Sequence, residues 1–310
     1  MRILDLDQSI LLQEALLENY QANIIGLKDL QQRARLWSDK KTTEALEKRI
    51  SGSERSAVTF LGSGDFHHLS SLLIKQFSES LCLIVFDFHP DWDIFSPCLS
   101  CGSWVNRAMK ARGILKCLLL GVSSKDISSP AIEGGDFSLL ERDRLEIYPW
   151  QHKPSRVYLR NIPHNVSLEV RDYLFFRRIY WKELSNLDIK LLFDRIFKRL
   201  PVNRVYLSID KDCLRQEYAL TNWEEGMLSL ECLLFLIRMI RENLEIVGVD
   251  ITGEYSPITI PAGFKRLTSY LDHPHKNQAD TLPLSLINRR NEETNLKILE
   301  ALGIQKKGLV

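Results

Sequence analysis

Asp87, His89 and Asp91 stand two apart in the run Leu83-Ile84-Val85-Phe86-Asp87-Phe88-His89-Pro90-Asp91-Trp92-Asp93. If the chain stays extended there, all three side chains project to one side. The apolar run before them is of the kind that forms a strand buried on both faces. Two carboxylates and an imidazole thus stand at the carboxyl end of a buried strand, where open α/β sheets keep their ligands. Such donors suit manganese, iron or zinc better than calcium. A polar strand end with ordinary salt bridges would use the same residues, so a second motif has to decide.

Asp210 and Asp212 supply one, at the end of Arg204-Val205-Tyr206-Leu207-Ser208-Ile209. Two apart, they share a face and direct Lys211 the other way. Brought beside the first motif, four carboxylates would raise one another's pKa values unless cations neutralised them. Two divalent ions balance the four charges, can share a bridging carboxylate and can jointly activate a water. A third strand end, Gly62-Ser63-Gly64-Asp65-Phe66-His67-His68, offers a further imidazole. A lone histidine is more often structural, but three strand ends with ligand-type residues reverse that weighting.

The elements that must position these residues alternate. Strands are expected at 2–6, 57–61, 83–86, 117–120, 145–150, 156–160, 204–209 and 245–251. Helices are expected over 8–36 with a break near Gly26, and over 69–80, 104–111, 187–200, 229–243 and 291–302, the last stopped by Gly303. Residues 38–56 read as charged helix or loop. This alternation predicts an α/β fold, a three-layer α/β/α arrangement with a mostly parallel sheet. No linker or fixed-period repeat divides the chain, so 1–310 is read as a single domain.

Composition excludes several classes. With 310 residues, 45% hydrophobic and 26% charged, the chain reads as an ordinary globular protein. A net charge of +1 gives no broad electrostatic case for nucleic acid or a membrane, and neither is expected as a partner. The N-terminus lacks a signal-peptide layout, and no apolar stretch approaches the roughly 20 residues that span a bilayer. Six cysteines are too sparse for a disulfide scaffold, which points to a reducing, cytoplasmic setting.

Gly-Asp…His, Asp-x-His-x-Asp and Ser-x-Asp-x-Asp, in this order, resemble the ureohydrolase family of arginases and agmatinases. The resemblance covers roughly residues 57–260, leaving 1–56 as a divergent N-terminal part and 261–310 as a C-terminal part. It implies an arginase-like fold and two manganese ions, or another divalent metal, as cofactor. One ion would take a histidine from 67–68 with Asp87, Asp91 and Asp210. The other would take His89 and Asp212 and share Asp87 and Asp210. In the family the histidine directly follows the aspartate; here Phe66 intervenes, so His67 and His68 both stay open. The implied nucleophile is a hydroxide between the ions, attacking a planar carbon such as that of a guanidinium. Asp87, Asp210 and Glu254 are the implied catalytic residues. Glu254 resembles the acid that grips the guanidinium, with Gly253 as one extra residue in the turn; a surface turn glutamate is the alternative.

The departures concern substrate. Residues 96–106 lack the family's proton-shuttling histidine, so His152, His164, His273 and His275 become unranked candidates. Asp93 stands where arginases place an asparagine against the amino acid's carboxylate, and it would repel one. Asp126 could meet a substrate amino group. The expected substrate is therefore a small cationic guanidino or amide-like compound rather than free arginine. Cys98 and Cys101 read as loop cysteines lining the pocket rather than a zinc or redox pair, and Trp92, Trp104 and Trp150 as core. Two other readings are a non-catalytic relative that binds a partner and a single-zinc deacetylase. Asp210 and Asp212 argue against the second. The family often forms oligomers, and a homo-oligomer stays open here.

Overall fold

The computed structural model describes residues 1–158, 160–257 and 281–308. In chain order its strands are β1 (Arg2–Asp5), β2 (Asn23–Gly26), β3 (Trp37–Ser38), β4 (Val58–Ser63), β5 (Leu81–Phe86), β6 (Leu99–Ser100) and β7 (Ile114–Leu120). They continue as β8 (Leu145–Tyr148), β9 (Ser155–Val157), β10 (Leu168–Asp172), β11 (Arg177–Trp181), β12 (Arg204–Asp210) and β13 (Glu245–Glu254). Eight of them form one sheet in the order β2-β1-β4-β13-β12-β5-β7-β8, parallel throughout. Strands β4 and β5 are buried at every position, as their unbroken apolar runs require of strands covered on both faces.

Alternation along the strands divides the interior in two. Leu83, Val85, Cys117 and Leu119 face one core with Trp92, Trp104 and Met109. Ile84, Phe86, Leu118 and Leu120 face the other, with Leu233, Ile237 and Ile240 of the helix Leu230–Asn243. Helical segments thus cover both faces, giving the expected three layers. Helices Trp104–Lys110, Ile189–Phe197 and Leu230–Asn243 lie where periodicity placed them. Asp188 and Ser229 cap the last two by accepting from the backbone amides of Leu191 and Cys232. Among the described residues no helix is long and apolar enough to cross a membrane.

Four expectations need correction. The helix over 8–36 breaks into Glu14–Asn19 and the single turn Gln31–Ala34, because Ile24 and Ile25 join β2, a mostly exposed edge strand beside β1. The segment after β4 is a 3-10 turn, Gly64–Leu69, before the short helix Ser70–Ile74. The strand near 156–160 lies outside the main sheet, in a three-stranded antiparallel sheet ordered β10-β11-β9. The last helix starts earlier, at Leu284, and Gly303 follows its end with φ of 73°.

The sheet order also fixes where ligands gather. Consecutive strands β4 and β5 stand apart, with β13 and β12 inserted between them. The chain therefore leaves neighbouring strand ends in opposite directions and opens a crevice at their carboxyl edge. The predicted donors stand on these four strands or directly after them.

Candidate metal centre

Strand β5 ends at Phe86, and the chain then turns instead of staying extended. Asp91 takes a left-handed φ of 48°, a conformation that aspartate tolerates better than most residues. The turn brings Asp87 and Asp91 to one point that His67 also reaches. Nδ1 of His67 lies 3.1 Å from Asp87 Oδ2, 3.3 Å from Asp210 Oδ2 and 3.6 Å from Asp91 Oδ2. Beside it, Nδ1 of His89 lies 3.0 Å from Asp212 Oδ2 and 3.6 Å from Asp87 Oδ1. Two atoms bound to one ion at about 2.1 Å stand roughly 3.0–3.5 Å apart, so both spacings suit a cation between the donors. His67, Asp87 and Asp91 form one group able to hold an ion; Asp87, His89 and Asp212 form a second. Asp87 offers one oxygen to each.

The 3-10 turn separates the two adjacent histidines. With three residues per turn, neighbours point about 120° apart. His68 faces Ser38 Oγ at 3.0 Å and Cys101 Sγ at 3.6 Å, and it joins neither group. Asp65, ahead of them, pairs with buried Arg35 and anchors the turn. Gly64 leaves room at the centre: a Cβ there would lie 2.9 Å from the Trp223 ring and 3.1 Å from Asp210 Oδ2.

Several supporting residues carry no motif and were not anticipated. Ser208 Oγ lies 2.9 Å from Nε2 of His67 and donates to Asp250 Oδ1 at 2.7 Å, which fixes the ring from behind. Trp104 packs against His67 and donates through Nε1 to Asp91 Oδ2 at 2.7 Å. Backbone amides hold the other carboxylates, Phe88 donating to Asp212 Oδ1 at 3.0 Å and His89 to Asp87 Oδ1 at 2.7 Å. A tryptophan donor or a strand serine becomes visible as a site residue only when its neighbours are known.

Charge at the centre is unbalanced by protein alone. Burial opposes ionisation of Asp87, yet His67 and His89 outweigh it and hold the carboxyl at about 2. Burial and Asp87 push Asp91 well above the usual carboxylate range, and burial, Asp210 and Asp87 do the same to Asp212. Burial works against protonating His67, but Asp210 and Asp87 raise its pKa well above 6.5. His89 rises likewise through Asp212, Asp87 and Glu224. Protons are thus retained where cations would sit. Oδ2 of Asp87 is buried and receives no well-directed hydrogen bond, although His67 Nδ1 stands 3.1 Å away; it is an acceptor aimed into the cluster. The donor set fits divalent ions.

Glu254 is placed differently from the expected gripping acid. Its carboxylate pairs with Lys211 and accepts from Asn295 Nδ2 at 2.7 Å and Gln13 Nε2 at 3.0 Å, all buried. The cause is Gly253, whose φ of 86° accompanies register breaks in β13. An extra residue changes the face that the next side chain presents. Only glycine fits there, since a Cβ would lie 2.5 Å from Asp210 Oδ1 and 2.7 Å from the Lys211 nitrogen. Lys211 does turn away from Asp210 and Asp212, as expected, and Glu254 is its partner.

Asp93 and Asp126 are near enough for one charge to act on the other. Burial and Asp126 push the Asp93 carboxyl up to about 6. The loop carrying Asp126 lies against the metal motif, with Ser123 and Ser124 amides donating to Phe88 O at 3.0 and 3.1 Å. His89 remains 14% exposed, and Glu224 Oε2 stands 3.3 Å from its Nε2. Trp223 lies edge-on to His89 at 5.2 Å. His152 bonds Ser128 at 3.1 Å and His164 is exposed; neither joins the centre, while His273 and His275 lie outside the described residues. Cys101 is buried over the Gly64–Asp65 carbonyls, and Trp92 and Trp104 are core, as expected.

The whole chain superposes on solved arginases. That of Bacillus subtilis aligns over 99% of both chains with a TM-score of 0.57 at 14% identity. The fold is the arginase fold. The Bacillus cereus arginase aligns over 99% of this chain and all of its own, with a TM-score of 0.53 and 11% identity. Formimidoylglutamase from Bacillus subtilis shares the arginase fold over 86% of this chain and 68% of its own, at TM-score 0.50 and 13% identity. No family model matches the chain. An uncharacterized protein of Thermotoga maritima is 29% identical over 201 residues, which is 65% of this chain and 59% of that relative's length.

Proposed function

We propose that the chain belongs with the ureohydrolases and hydrolyses a C–N bond in a small cationic guanidino or amide-like compound, using two divalent ions, manganese foremost. The observation that carries this reading is Asp87, one carboxylate presented to both His67 and His89 at the carboxyl edge of the sheet. Bound there, a metal pair would supply Lewis-acid activation of water near neutral pH. His67, Asp87, Asp91 and Asp210 would hold one ion; His89 and Asp212, with Asp87 and Asp210 shared, would hold the other.

The chain's own residues do the rest. Ser208 and Asp250 fix the His67 ring, and Trp104 fixes Asp91, so the donors are set before a ligand arrives. Glu224 stands beside the exposed edge of His89, and Asp93 and Asp126 add carboxylates on the loops that follow the motif strands; acids there would favour a cation and oppose a carboxylate. Free arginine would bring its carboxylate to these acids.

One observation supports a second reading, a non-catalytic protein with a retained metal site. Lys211 neutralises Glu254, the acid that the family resemblance would have used on a guanidinium. A panel of guanidino and amide compounds, followed for urea and amine release by the manganese-loaded protein, separates the two. Turnover of a cation lacking a carboxylate is expected. No turnover across the panel with both ions bound would favour the second reading.

A further inference from the structure

The hairpin β10–β11 ends on Leu174 and Phe175, which are 88% and 79% exposed. The Tyr173 amide donates to Phe176 O at 2.9 Å, so these two residues form the whole loop. Neither residue takes a left-handed φ, so the backbone here makes no demand for glycine or asparagine, and none for leucine and phenylalanine either. Behind the tip, register pairs Arg171 with Arg178 and Arg178 with Arg156. Three arginines therefore stand in one row across three strands, an arrangement that self-repulsion disfavours.

Each arginine lies over a ring: Arg171 over Tyr180 at 4.7 Å, Arg178 over Tyr173 at 5.3 Å and Arg156 over Phe176 at 5.4 Å. Among the described residues none of the three makes an ion pair with an acid. Residues 153–182 hold seven Lys and Arg against two Asp and Glu, an excess of five in a chain whose net charge is +1. Whole-chain charge averages this patch away, which is why no membrane partner was expected from it. The other face of the small sheet packs inward through Val157, Ile179 and Trp181. The basic face and the apolar tip are left outward.

We propose that this hairpin docks the protein on an anionic lipid surface, with Leu174 and Phe175 entering the interface and the arginine row meeting the headgroups. A convex apolar tip with a basic collar suits a fluid surface that needs no preformed pocket. A second copy suits it less. A two-fold contact would oppose the arginine rows, and two cavities among the described residues are themselves basic, one holding Arg195 and Arg199, the other Lys75, Arg107 and Lys110. Single-stranded nucleic acid stacks on open aromatic faces, whereas guanidinium groups already lie over Tyr173, Phe176 and Tyr180.

Co-sedimentation of the full chain with vesicles tests this. Binding to phosphatidylcholine–phosphatidylglycerol vesicles should exceed binding to phosphatidylcholine alone by on the order of tenfold and weaken with salt. Leu174→Ser with Phe175→Ser, and separately Arg171→Gln with Arg178→Gln, should each weaken it about tenfold while Tm and metal content stay unchanged. A Phe175→Trp probe should be quenched by brominated lipid. No binding, equal binding to neutral vesicles, or unaltered binding by both double variants would overturn the proposal. So would hairpin-dependent dimerisation or oligonucleotide binding without vesicle binding.

Discussion

Lys211 and Glu254 form a buried ion pair beside the metal centre, with Asn295 bonded to both side chains. Burial lowers the Lys211 pKa, opposed by Glu254. Removing one partner strands the other charge in the interior. Lys211→Met should cost about 3–5 kcal/mol in urea unfolding, and Lys211→Met with Glu254→Gln should recover most of it. If Glu254 instead served substrate alone, Glu254→Gln would abolish turnover at no cost in stability.

Ser208 and Asp250 orient His67 without touching the acidic cluster's centre. Ser208→Ala should weaken manganese affinity about 10–100-fold with little change in fold. Calorimetric titration of the metal-free variant checks this.

Acid should compete with metal. His67 and His89 have folded pKa values raised above 6.5, so near neutrality they hold protons that a bound ion must displace. Their contribution to metal-free stability is full below 6.5 and is lost as pH rises through the folded values. Asp91 and Asp212, raised above 3.8, act with the same sign from a lower starting pH. Asp87 acts oppositely, but only as pH falls from 3.8 through about 2. The Tm of metal-free protein should therefore fall on the alkaline side while the manganese-loaded Tm holds, so the metal-induced shift grows with pH. Scanning fluorimetry across pH, with and without manganese, measures it.

Recognition of a cation by the acidic mouth predicts a split in kinetics. Glu224→Gln should raise KM for a cationic substrate by up to about tenfold with kcat little changed. Asp93→Asn should narrow the discrimination against substrates that carry a carboxylate.

Much of the centre was legible because its donors lie at two-residue spacing at or just beyond the ends of strongly apolar strands. Asp87, His89 and Asp91 do not align by extension: Asp91 reaches the cluster through a left-handed turn. The choice between His67 and His68 depended on a 3-10 turn that periodicity cannot signal over so few residues. The pairing of Glu254 with Lys211 carries no sequence signal, because it follows a bulge at Gly253 whose effect depends on the neighbouring strand. Ser208 and Asp250 are ordinary strand residues until β12 and β13 pair in register. The β10–β11 hairpin escaped sequence reasoning because its loop is Leu-Phe, which carries no turn signal.

A carboxylate shared between His67 and His89 implies that Asp87 joins two ion sites. Metal analysis of manganese-loaded protein tests it directly, with Asp87→Asn and Asp212→Asn alongside. About two ions per chain are expected in the native sequence, both depleted by Asp87→Asn and only one by Asp212→Asn. A single tight zinc, no metal after loading, or full occupancy in Asp87→Asn would rule out two ions sharing Asp87.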